Sequence, residues 1–594
     1  MTEQPAEPIH YRVAIADPHA HLFRVSMTIR EPDPDGQLLM LPAWIPGSYL
    51  IREFARHVVA IAARRGSAPV RLRKLDKHSW RADPGSGALT VQYDVYGWDL
   101  SVRAAHLDAT HAFFNGTSMF LRALGREHEP HSVDLAPPRG AAYRDWRVAT
   151  TLQSAGAPPH GFGRYRARDY DELVDHPVEM GRFALGSFVA GGAAHEIAVT
   201  GRTDVDLARL CRDLKPICDA HIALFEPRAR RAPVDRYLFL ATAVGDGYGG
   251  LEHRASTALL CARNELPYRG MRGVSLEYHR FLALASHEYF HTWLIKRIKP
   301  AAFVPYDLSR ENYSSLLWIF EGFTSYYDDL MLLRAGVIDL PMYLKSLATT
   351  ISAVLRGPGR LRQSVAESSF DAWIKYYRQD ENTPNVVASY YAKGALVALA
   401  LDLTIRLRTR ARRSLDDVLR LMWREYGRDF YAPGALQRGV AEDEFPQLVR
   451  RATGLDLRRQ IRDWAYGTRE LPLPQLFDAI GIDFRLAPPD PAPALGARLA
   501  TRHGELTVAT AYDGQAARRA GLAAGDVIVA ADGLRVDEKS LKALLTRRRA
   551  GERLALHVFR RDELMRLDVE LQPPAKTEVT LALRPRAARA RSPR

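Results

Sequence analysis

The sequence predicts a multidomain α+β protein, and three observations support this prediction. The chain has 594 residues, which is too many for a single hydrophobic core. Alternation of apolar and polar residues dominates residues 1–170, whereas helical periodicity dominates most of residues 171–480. Short alternating segments return in residues 481–575, which therefore form a further unit.

The first 170 residues are predicted to form a β-sandwich-like domain. Residues 21–29 and 88–96 alternate in polarity, which is typical of half-buried strands. Turn-forming residues separate such segments, for example at residues 32–36. We expect an antiparallel sandwich from this pattern.

Residues 171–480 are predicted to combine a few strands with many helices. Residues 206–226 fit an amphipathic helix, and residues 237–244 fit an apolar strand. Residues 245–250 are predicted to form a turn before a second strand that ends at residue 260. The strongest helical segments follow at residues 275–296, 314–334, 390–408 and 414–426.

The C-terminal unit, residues 481–575, is predicted to contain short strands and one helix at residues 538–547. In residues 584–594, arginine, alanine and proline alternate without a periodic apolar face. We therefore expect residues 576–594 to be a disordered basic tail.

Composition excludes several classes of protein. Hydrophobic residues make up 47% of the chain and charged residues 26%, as in an ordinary globular protein, and no apolar stretch is long enough to cross a bilayer. The first residues do not resemble a secretory signal, so we expect a cytoplasmic protein without a membrane partner. The net charge of +14 comes partly from the arginine-rich end, and we expect no nucleic-acid partner. Three cysteines without a Cys-x-x-Cys pair indicate neither disulfides nor a thiolate metal site.

The strongest local feature is His-Glu-Tyr-Phe-His at residues 287–291. On an α-helix, His287 and His291 lie on the same face and can bind one metal ion. Glu288 projects nearby and can take a proton from a water molecule at the metal. The alternative is a core helix with two hydrogen-bonded histidines.

A zinc hydrolase needs a third protein ligand, and two glutamates are candidates. Glu311 lies in a polar segment and looks like a residue at the start of a helix. Glu321 lies in an otherwise apolar helical segment, where a carboxylate is costly to bury unless it is paired or binds a cation. Both glutamates remain candidates until the resemblance described next is included.

These residues resemble the gluzincin aminopeptidases, a group of zinc peptidases. The resemblance is carried by residues 287–291 and by Trp-Ile-Phe-Glu-Gly-Phe-Thr-Ser-Tyr-Tyr at residues 318–327. Two further segments match in the expected order, namely Gly-Gly-Leu-Glu-His at 249–253 and Tyr-Tyr-Ala-Lys-Gly-Ala at 390–395. Three departures concern the spacing from His291 to Glu321, which is longer than usual, and the identities of Leu251 and His253.

The segment at residues 44–53 and the C-terminal unit narrow the resemblance to the glycyl aminopeptidase family. Residues 521–533 resemble the Ala-Gly-Leu-x-x-Gly-Asp-x-Ile segment of bacterial PDZ domains. The resemblance implies a thermolysin-like mixed α/β and helical catalytic domain at 171–480 and a PDZ domain at 481–575. The PDZ domain is expected either to bind a peptide or protein ligand or only to pack against the catalytic domain.

The resemblance also implies a role for each site residue. One Zn²⁺ ion is held by His287, His291 and Glu321, while Glu288 is the general base. Tyr391 stabilises the oxyanion by a hydrogen bond. For the tyrosine pair at 390–391, plain packing is the alternative.

Glu252 would bind the free α-ammonium group of a peptide substrate, which makes the enzyme an aminopeptidase. Gly249 and Gly250 leave backbone uncovered, so that a peptide strand can add to the sheet edge. The alternative is a hairpin turn at these glycines and a solvated Glu252. The resemblance further implies a preference for small N-terminal residues, glycine or alanine.

Two other functions remain open at this stage. A PDZ-based peptide-binding protein would lack a metal ligand or the base, and neither is missing from the sequence. A thermolysin-like endopeptidase would cut within chains, which an amine-binding Glu252 beside the metal would prevent.

Overall fold

The computed structural model describes residues 7–584, and it confirms the predicted multidomain α+β class. The described chain forms two compact units. The first contains the residues up to 312 together with 327–338 and 419–441, and the second contains the remaining segments. No helix in the described part of the chain is long and apolar enough to cross a membrane.

The N-terminal part is built from sheets, as predicted. The predicted strands appear as Leu22–Ile29 and Leu89–Tyr96, which pair antiparallel, with alternate side chains buried. One pair in this sheet, Ile9–Asp17 with His131–Leu135, is parallel, which differs from the expected purely antiparallel arrangement. The strand order of this large sheet is Gln153–Ser154, Gly163–Ala167, His131–Leu135, Ile9–Asp17, Leu22–Ile29, Leu89–Tyr96, Val58–Arg65, Ala68–Val70.

Smaller sheets accompany the large one. The first has the order Arg147–Ala149, Val178–Gly181, His111–Phe114, Ala105–Leu107. The second has the order Arg122–Ala123, Leu38–Met40, Ser79–Ala82, Leu72–Lys74. Tyrosine hydroxyls of the large sheet donate to backbone carbonyls at residues 119–121, which lead into the second of these sheets.

A mixed sheet follows in the first unit, with the order Phe183–Ala190, Ala193–Thr200, Arg236–Val244, Ser256–Ala262, Tyr248–Glu252. Helix Leu207–Phe225 connects two of its parallel strands. The predicted turn at residues 245–250 is wrong in part, because Gly249 and Gly250 lie within the last strand. They pair with Leu260 and Leu259 across the hairpin, so the predicted turn is confined to residues 245–247, and a second turn follows Glu252.

The helices are distributed over both units. The α-helices are Gly116–Met119, Tyr170–Val174, Leu207–Phe225, Leu276–Phe290, Leu317–Phe320, Gly322–Arg334, Leu340–Arg356, Val365–Phe370, Thr383–Val386, Ala392–Thr409, Leu415–Met422, Phe445–Thr453, Arg458–Ile461, Leu473–Ala479, Ala516–Arg519 and Glu538–Leu545. Short 3₁₀ segments occur at Phe54–His57, Ala141–Tyr143, Arg263–Glu265, Ala301–Phe303 and Pro358–Leu361, and π-helical turns at Ala372–Tyr376, Trp423–Gly427 and Arg462–Tyr466.

The predicted continuous helix at residues 314–334 is instead divided in two. Leu317–Phe320 ends before Glu321, and a second helix begins at Gly322. Glycine has a low helix propensity, which favours a break at this point. Gly322 also lies against another helix, since a Cβ atom built there would be 2.7 Å from the backbone of Gly394.

The C-terminal unit has its own hydrophobic core, which includes Val508, Ile528, Leu541 and Leu556. Its sheet has the order Ala497–Arg502, Glu505–Ala511, Val527–Ala531, Arg553–Arg560, Glu563–Glu570, and Leu534–Arg535 pairs with Val527–Ala531. The Asn385 side chain donates to the Ala511 carbonyl and accepts from the Asp513 N–H. The sheet of residues 497–570 therefore packs on the helices that belong to the same compact unit.

The expectation of a disordered tail from residue 576 onwards is wrong in its first part. Glu578–Leu583 is a strand that pairs antiparallel with Ile482–Ala487. Val579 and Leu581 alternate with exposed residues and are buried, which is the period of a half-buried strand. The end of the predicted tail, residues 585–594, lies outside the described residues.

Replacing Gly322 with alanine is expected to destabilise the protein, although alanine is the better helix former. The added methyl group would overlap the Gly394 backbone, and overpacking of this kind costs roughly 1–3 kcal/mol. Urea unfolding with a chelator present measures this cost without a contribution from bound metal. A smaller loss is expected for Gly394→Ala, whose nearest contacts are 3.0 Å, and a stabilised Gly322→Ala variant would contradict the close packing.

Candidate metal centre

Helix Leu276–Phe290 carries the His-Glu-x-x-His segment. The Ser275 side chain caps its N-terminus by accepting a hydrogen bond from the Tyr278 N–H. The helix buries Phe281 and Leu282, and His291 is the residue at its C-terminal cap. The rings of His287 and His291 lie side by side, with centroids 4.8 Å apart, as the i, i+4 spacing predicts.

Both imidazoles are oriented by hydrogen bonds from Nδ1. His287 Nδ1 lies 3.2 Å from Asp328 Oδ2, and His291 Nδ1 lies 3.0 Å from the Leu294 carbonyl oxygen. Because carboxylate and carbonyl oxygens accept, each Nδ1 carries the proton and each Nε2 has the lone pair that a metal needs. Burial raises the pKa of Asp328 to about 6, and a nearby divalent cation would favour its charged form instead.

Asp328 was missed by the sequence analysis. It lies seven residues after Glu321, two helical turns along Gly322–Arg334, so helical spacing could have indicated it. Orientation of a ligand histidine by a carboxylate is common in metal sites.

The third candidate ligand lies where the helix is broken. Glu321 is 2% exposed and occupies the cap between helices Leu317–Phe320 and Gly322–Arg334. His287 and His291 belong to the first compact unit, and Glu321 belongs to the second. Among the described residues, the groups with metal-binding geometry do not include Glu311. Two imidazoles and one carboxylate form the donor set of a catalytic zinc site with an open position.

A second cluster shares one of these residues. Carboxylate oxygens of Glu252 and Glu288 and a ring nitrogen of His291 lie within 4.8 Å of one another, and all three residues are buried. Two carboxylates this close favour cations beside them, because burial and mutual repulsion both disfavour their charged forms.

Strand Tyr248–Glu252 forms the edge of the mixed sheet and carries Glu252 at its C-terminal end. A Cβ atom on Gly250 would overlap the Glu288 carboxylate, so only glycine leaves room for that side chain. Gly249 and Gly250 therefore belong to the edge strand beside the cluster, and the hairpin-turn alternative for them does not apply.

Gly47 was interpreted in the sequence only as part of a structural turn. In the structure it has a φ of +93°, and a Cβ atom there would overlap the Glu252 carboxylate. Gly47 therefore lies directly over the Glu252 carboxylate. This glycine combines a left-handed backbone with the close approach to a carboxylate.

The turn after Glu252 is fixed by buried charges. His253 and Arg254 both contact Asp175, and the Lys296 ammonium lies 2.7 Å from Asp175 Oδ1. Burial of Asp175 acts to raise its pKa, but the Lys296 charge and its other partners outweigh this and hold the pKa well below its usual range. This network fixes the backbone next to Glu252.

The tyrosine pair divides into a core residue and an accessible one. Tyr390 is fully buried, and burial together with Tyr377 and Glu321 raises its pKa. Tyr391 is half-buried at the start of helix Ala392–Thr409, and its hydroxyl lies 3.2 Å from the Tyr377 hydroxyl. Tyr391 is thus the one able to reach a ligand, and Tyr377 is a neighbour that the sequence analysis did not identify.

Three family models match the chain. The Peptidase M61 N-terminal domain matches residues 10–182, the M61 glycyl aminopeptidase matches residues 280–397, and a PDZ domain matches residues 493–571. These matches confirm the predicted sheet-rich N-terminal domain, helical catalytic domain and C-terminal PDZ domain. The boundaries at residues 170, 480 and 575 remain predictions.

The chain is also similar to proteins of known structure. The crystal structure of an aminopeptidase N family protein from Idiomarina loihiensis is 40% identical, with a TM-score of 0.92, and covers 97% of this chain and 98% of its own. An M1 zinc metallopeptidase from Deinococcus radiodurans, solved as a mutant bound to a Tyr-Ser-Ala substrate, is 15% identical, with a TM-score of 0.46. That match covers 78% of this chain and 95% of the other. No curated protein sequence matches the chain significantly.

The M61 models cover the N-terminal domain and the segment with the metal motif, and the 40% identity extends over nearly the whole of both chains. The chain therefore belongs to the M61 glycyl aminopeptidase family of zinc metallopeptidases and is a peptidase.

Proposed function

We propose that this protein is an aminopeptidase that uses one zinc ion to remove N-terminal residues, preferably glycine or alanine, from peptides. One observation carries the proposal, namely the mutual approach of Glu252, Glu288 and His291 within 4.8 Å. An amine-binding carboxylate, a general base and a metal ligand in one buried cluster match the needs of N-terminal hydrolysis. The preference for small residues rests on the family description alone.

His287, His291 and Glu321 would hold the ion. A bound zinc ion supplies Lewis acidity, which polarises the scissile carbonyl and lowers the pKa of a water molecule towards about 7. Asp328 and the Leu294 carbonyl hold the two imidazoles in the orientation that this binding requires.

Glu288 is the proposed general base. It takes a proton from the attacking water and then passes it to the leaving amine. Its carboxylate lies over Gly250, where any side chain would displace it. The absence of a side chain at residue 250 therefore positions the base.

Tyr391 is proposed to donate a hydrogen bond to the oxyanion that develops on the scissile carbonyl. Its partial exposure and its position at a helix start support this role over that of Tyr390. A single donor of this kind contributes ~3 kcal/mol to transition-state stabilisation.

Glu252 is proposed to bind the substrate α-ammonium group. Gly47 covers its carboxylate from one side, and the edge strand with Gly249 and Gly250 supplies backbone groups to which a peptide can add. A peptide whose N-terminus is blocked lacks the cation, and an internal segment would have to continue through the space next to Glu252. Both features favour an aminopeptidase over a thermolysin-like endopeptidase.

The PDZ domain is proposed to bind a peptide or protein ligand by strand addition. Its contacts with Asn385 also support the alternative in which it only packs on the helical part. A function restricted to PDZ-based binding would leave the buried carboxylate cluster without a role.

Hydrolysis of Gly, Ala, Leu and Arg p-nitroanilides, each with and without an N-acetyl group, tests the proposal. We expect cleavage of free amines only, loss of activity on chelation, and the highest kcat/KM for Gly and Ala. Cleavage of acetylated substrates would indicate an endopeptidase. If the zinc-loaded protein cleaved none of them, the aminopeptidase proposal would fail.

Glu288→Gln provides the matching test of the base in the same assay. It should lower kcat by ~10²–10⁴ while bound zinc stays unchanged, because the general base is lost and the ligands are kept. Glu277→Gln, at the exposed start of the same helix, is the control and should retain activity. Equal activities of the two variants would remove Glu288 from the mechanism.

Gly47→Ala is expected to reduce kcat/KM for free-amine substrates by ~10²-fold. The methyl group would displace the Glu252 carboxylate, and displacements of ~1 Å near a reacting group have effects of this size. Gly87→Ala is the matched control, since Gly87 has a φ of +87° and open space around its Cβ position. The same loss in both variants would mean that backbone strain, rather than Glu252, is responsible.

Asp328→Asn is expected to weaken zinc binding by ~10–100-fold, because the carboxylate that orients His287 is replaced by an amide. Competition with a chromogenic chelator measures the zinc affinity. Asp329→Asn is the control, since Asp329 lies next to Asp328 but pairs with His279, which is not a proposed metal ligand. Unchanged zinc affinity in Asp328→Asn would exclude the orienting role.

A further inference from the structure

We propose that His106, Asp108 and His111 form a second binding site, for Zn²⁺ or another first-row divalent cation, which stabilises the N-terminal part. The three residues occupy a hairpin between strands Ala105–Leu107 and His111–Phe114. Each offers one ligand atom, and these atoms lie within 4.8 Å of one another. The site shares no residue with the proposed catalytic centre and does not depend on the proposed function.

The hairpin turn presents one oxygen of Asp108. Its Oδ1 accepts hydrogen bonds from the Thr110 N–H and hydroxyl, both at 2.6 Å, and from the His111 N–H at 3.1 Å. These bonds fix the carboxylate and point Oδ2 towards His106, whose Nε2 lies 3.4 Å away. The hydrogen bonds of the turn are all made to Oδ1, whereas the contact with His106 is the one that Oδ2 makes among the described residues.

His111 has the hydrogen bonding of a metal ligand. Its Nδ1 lies 3.2 Å from Oε1 of Glu179, which is 2% exposed and also accepts from the Thr200 hydroxyl. A carboxylate that accepts from Nδ1–H places the lone pair on Nε2 and raises the basicity of the ring. Sites with histidine ligands commonly use this arrangement.

His106 provides the independent indication of a ligand. The residue is 5% exposed, and its Nδ1 is buried without a hydrogen-bond partner among residues 7–584. The 3.4 Å contact between Nε2 and Asp108 Oδ2 is longer than an ordinary hydrogen bond, so neither ring nitrogen of His106 is well paired. A cation between Nε2 and Oδ2 would replace this long contact by coordination.

The surroundings supply charge for an ion. A cavity of about 10 Å³ lies beside both imidazoles and is otherwise lined mainly by apolar side chains, such as Leu240 and Leu259. Asp108 and Glu179 bring two carboxylates to two imidazoles, so a divalent cation would balance the site. Two histidines, one aspartate and a water molecule suit Zn²⁺ and its first-row neighbours.

The position of the site gives it a structural role. Strand His111–Phe114 pairs with Val178–Gly181, which carries Glu179, and the loop before the hairpin places Arg103 Nη2 3.5 Å from the Gly250 carbonyl oxygen. A bound ion would fix this loop beside the edge strand that carries Glu252. The ion would therefore raise thermal stability without taking part in hydrolysis.

Zinc content of the full-length protein tests the proposal, after loading with Zn²⁺ and removal of the excess. The wild type should hold two ions per chain, and Asp108→Asn one, with at least ~10-fold weaker zinc binding at the hairpin. The amide oxygen of asparagine can still accept the turn hydrogen bonds, so this variant should fold and remain active. Its Tm should increase less on zinc addition than that of the wild type. His128→Ala, which removes an exposed histidine, is the control and should keep two ions.

His287→Ala separates this site from the catalytic one and should also leave one ion, with loss of activity. One ion in the wild type and none in His287→Ala would overturn the second site and leave the proposed function intact. Two ions in Asp108→Asn would likewise overturn it. Two ions in His287→Ala would instead contradict the proposed catalytic centre. Absorption of the cobalt-substituted protein provides a second measurement. If the hairpin binds an ion, the cobalt spectra of the wild type and of Asp108→Asn should differ.

Discussion

The close approach of two buried carboxylates, Glu252 and Glu288, is the constraint around which much of the catalytic region is arranged. Buried groups of like charge at this separation repel each other unless cations lie next to them. A metal ion on one side and a substrate ammonium group on the other would satisfy both. The geometry therefore places the metal ligands, the proposed general base and the proposed binding group for the substrate amine close enough to interact electrostatically.

Backbone without side chains makes this arrangement possible. Gly250 lies under the Glu288 carboxylate and Gly47 lies over that of Glu252, and in both places a methyl group would occupy the space of an oxygen. The charges behind Glu252 are paired among themselves through Asp175, Arg254 and Lys296, which holds the adjacent turn in place. Positions of the carboxylates are thus set by steric exclusion on one side and by a rigid ion network on the other.

The sequence predicted those parts of the site that depend on local periodicity. His287 and His291 lie together because a helix repeats every 3.6 residues, and the helix is present as expected. The same reasoning was less successful where the local composition suggests one structure and hydrogen bonding between strands produces another. Gly249 and Gly250 look like a turn by composition, but cross-strand hydrogen bonding places them within a strand. The residues from 578 to 583 look like part of a basic tail, yet alternate burial of Val579 and Leu581 makes them a strand.

By itself, the sequence determined the α+β class, the order of sheet-rich, helical and C-terminal parts, and the residues of the metal motif, because each is encoded within a short window of the chain. Tertiary structure alone decided which distant residues support them. Asp328 reaches His287, Gly47 reaches Glu252, and Glu179 reaches His111 across 41, 205 and 68 positions of the chain. Such contacts depend on how sheets and helices pack, and packing is a property of the whole chain that no local period specifies.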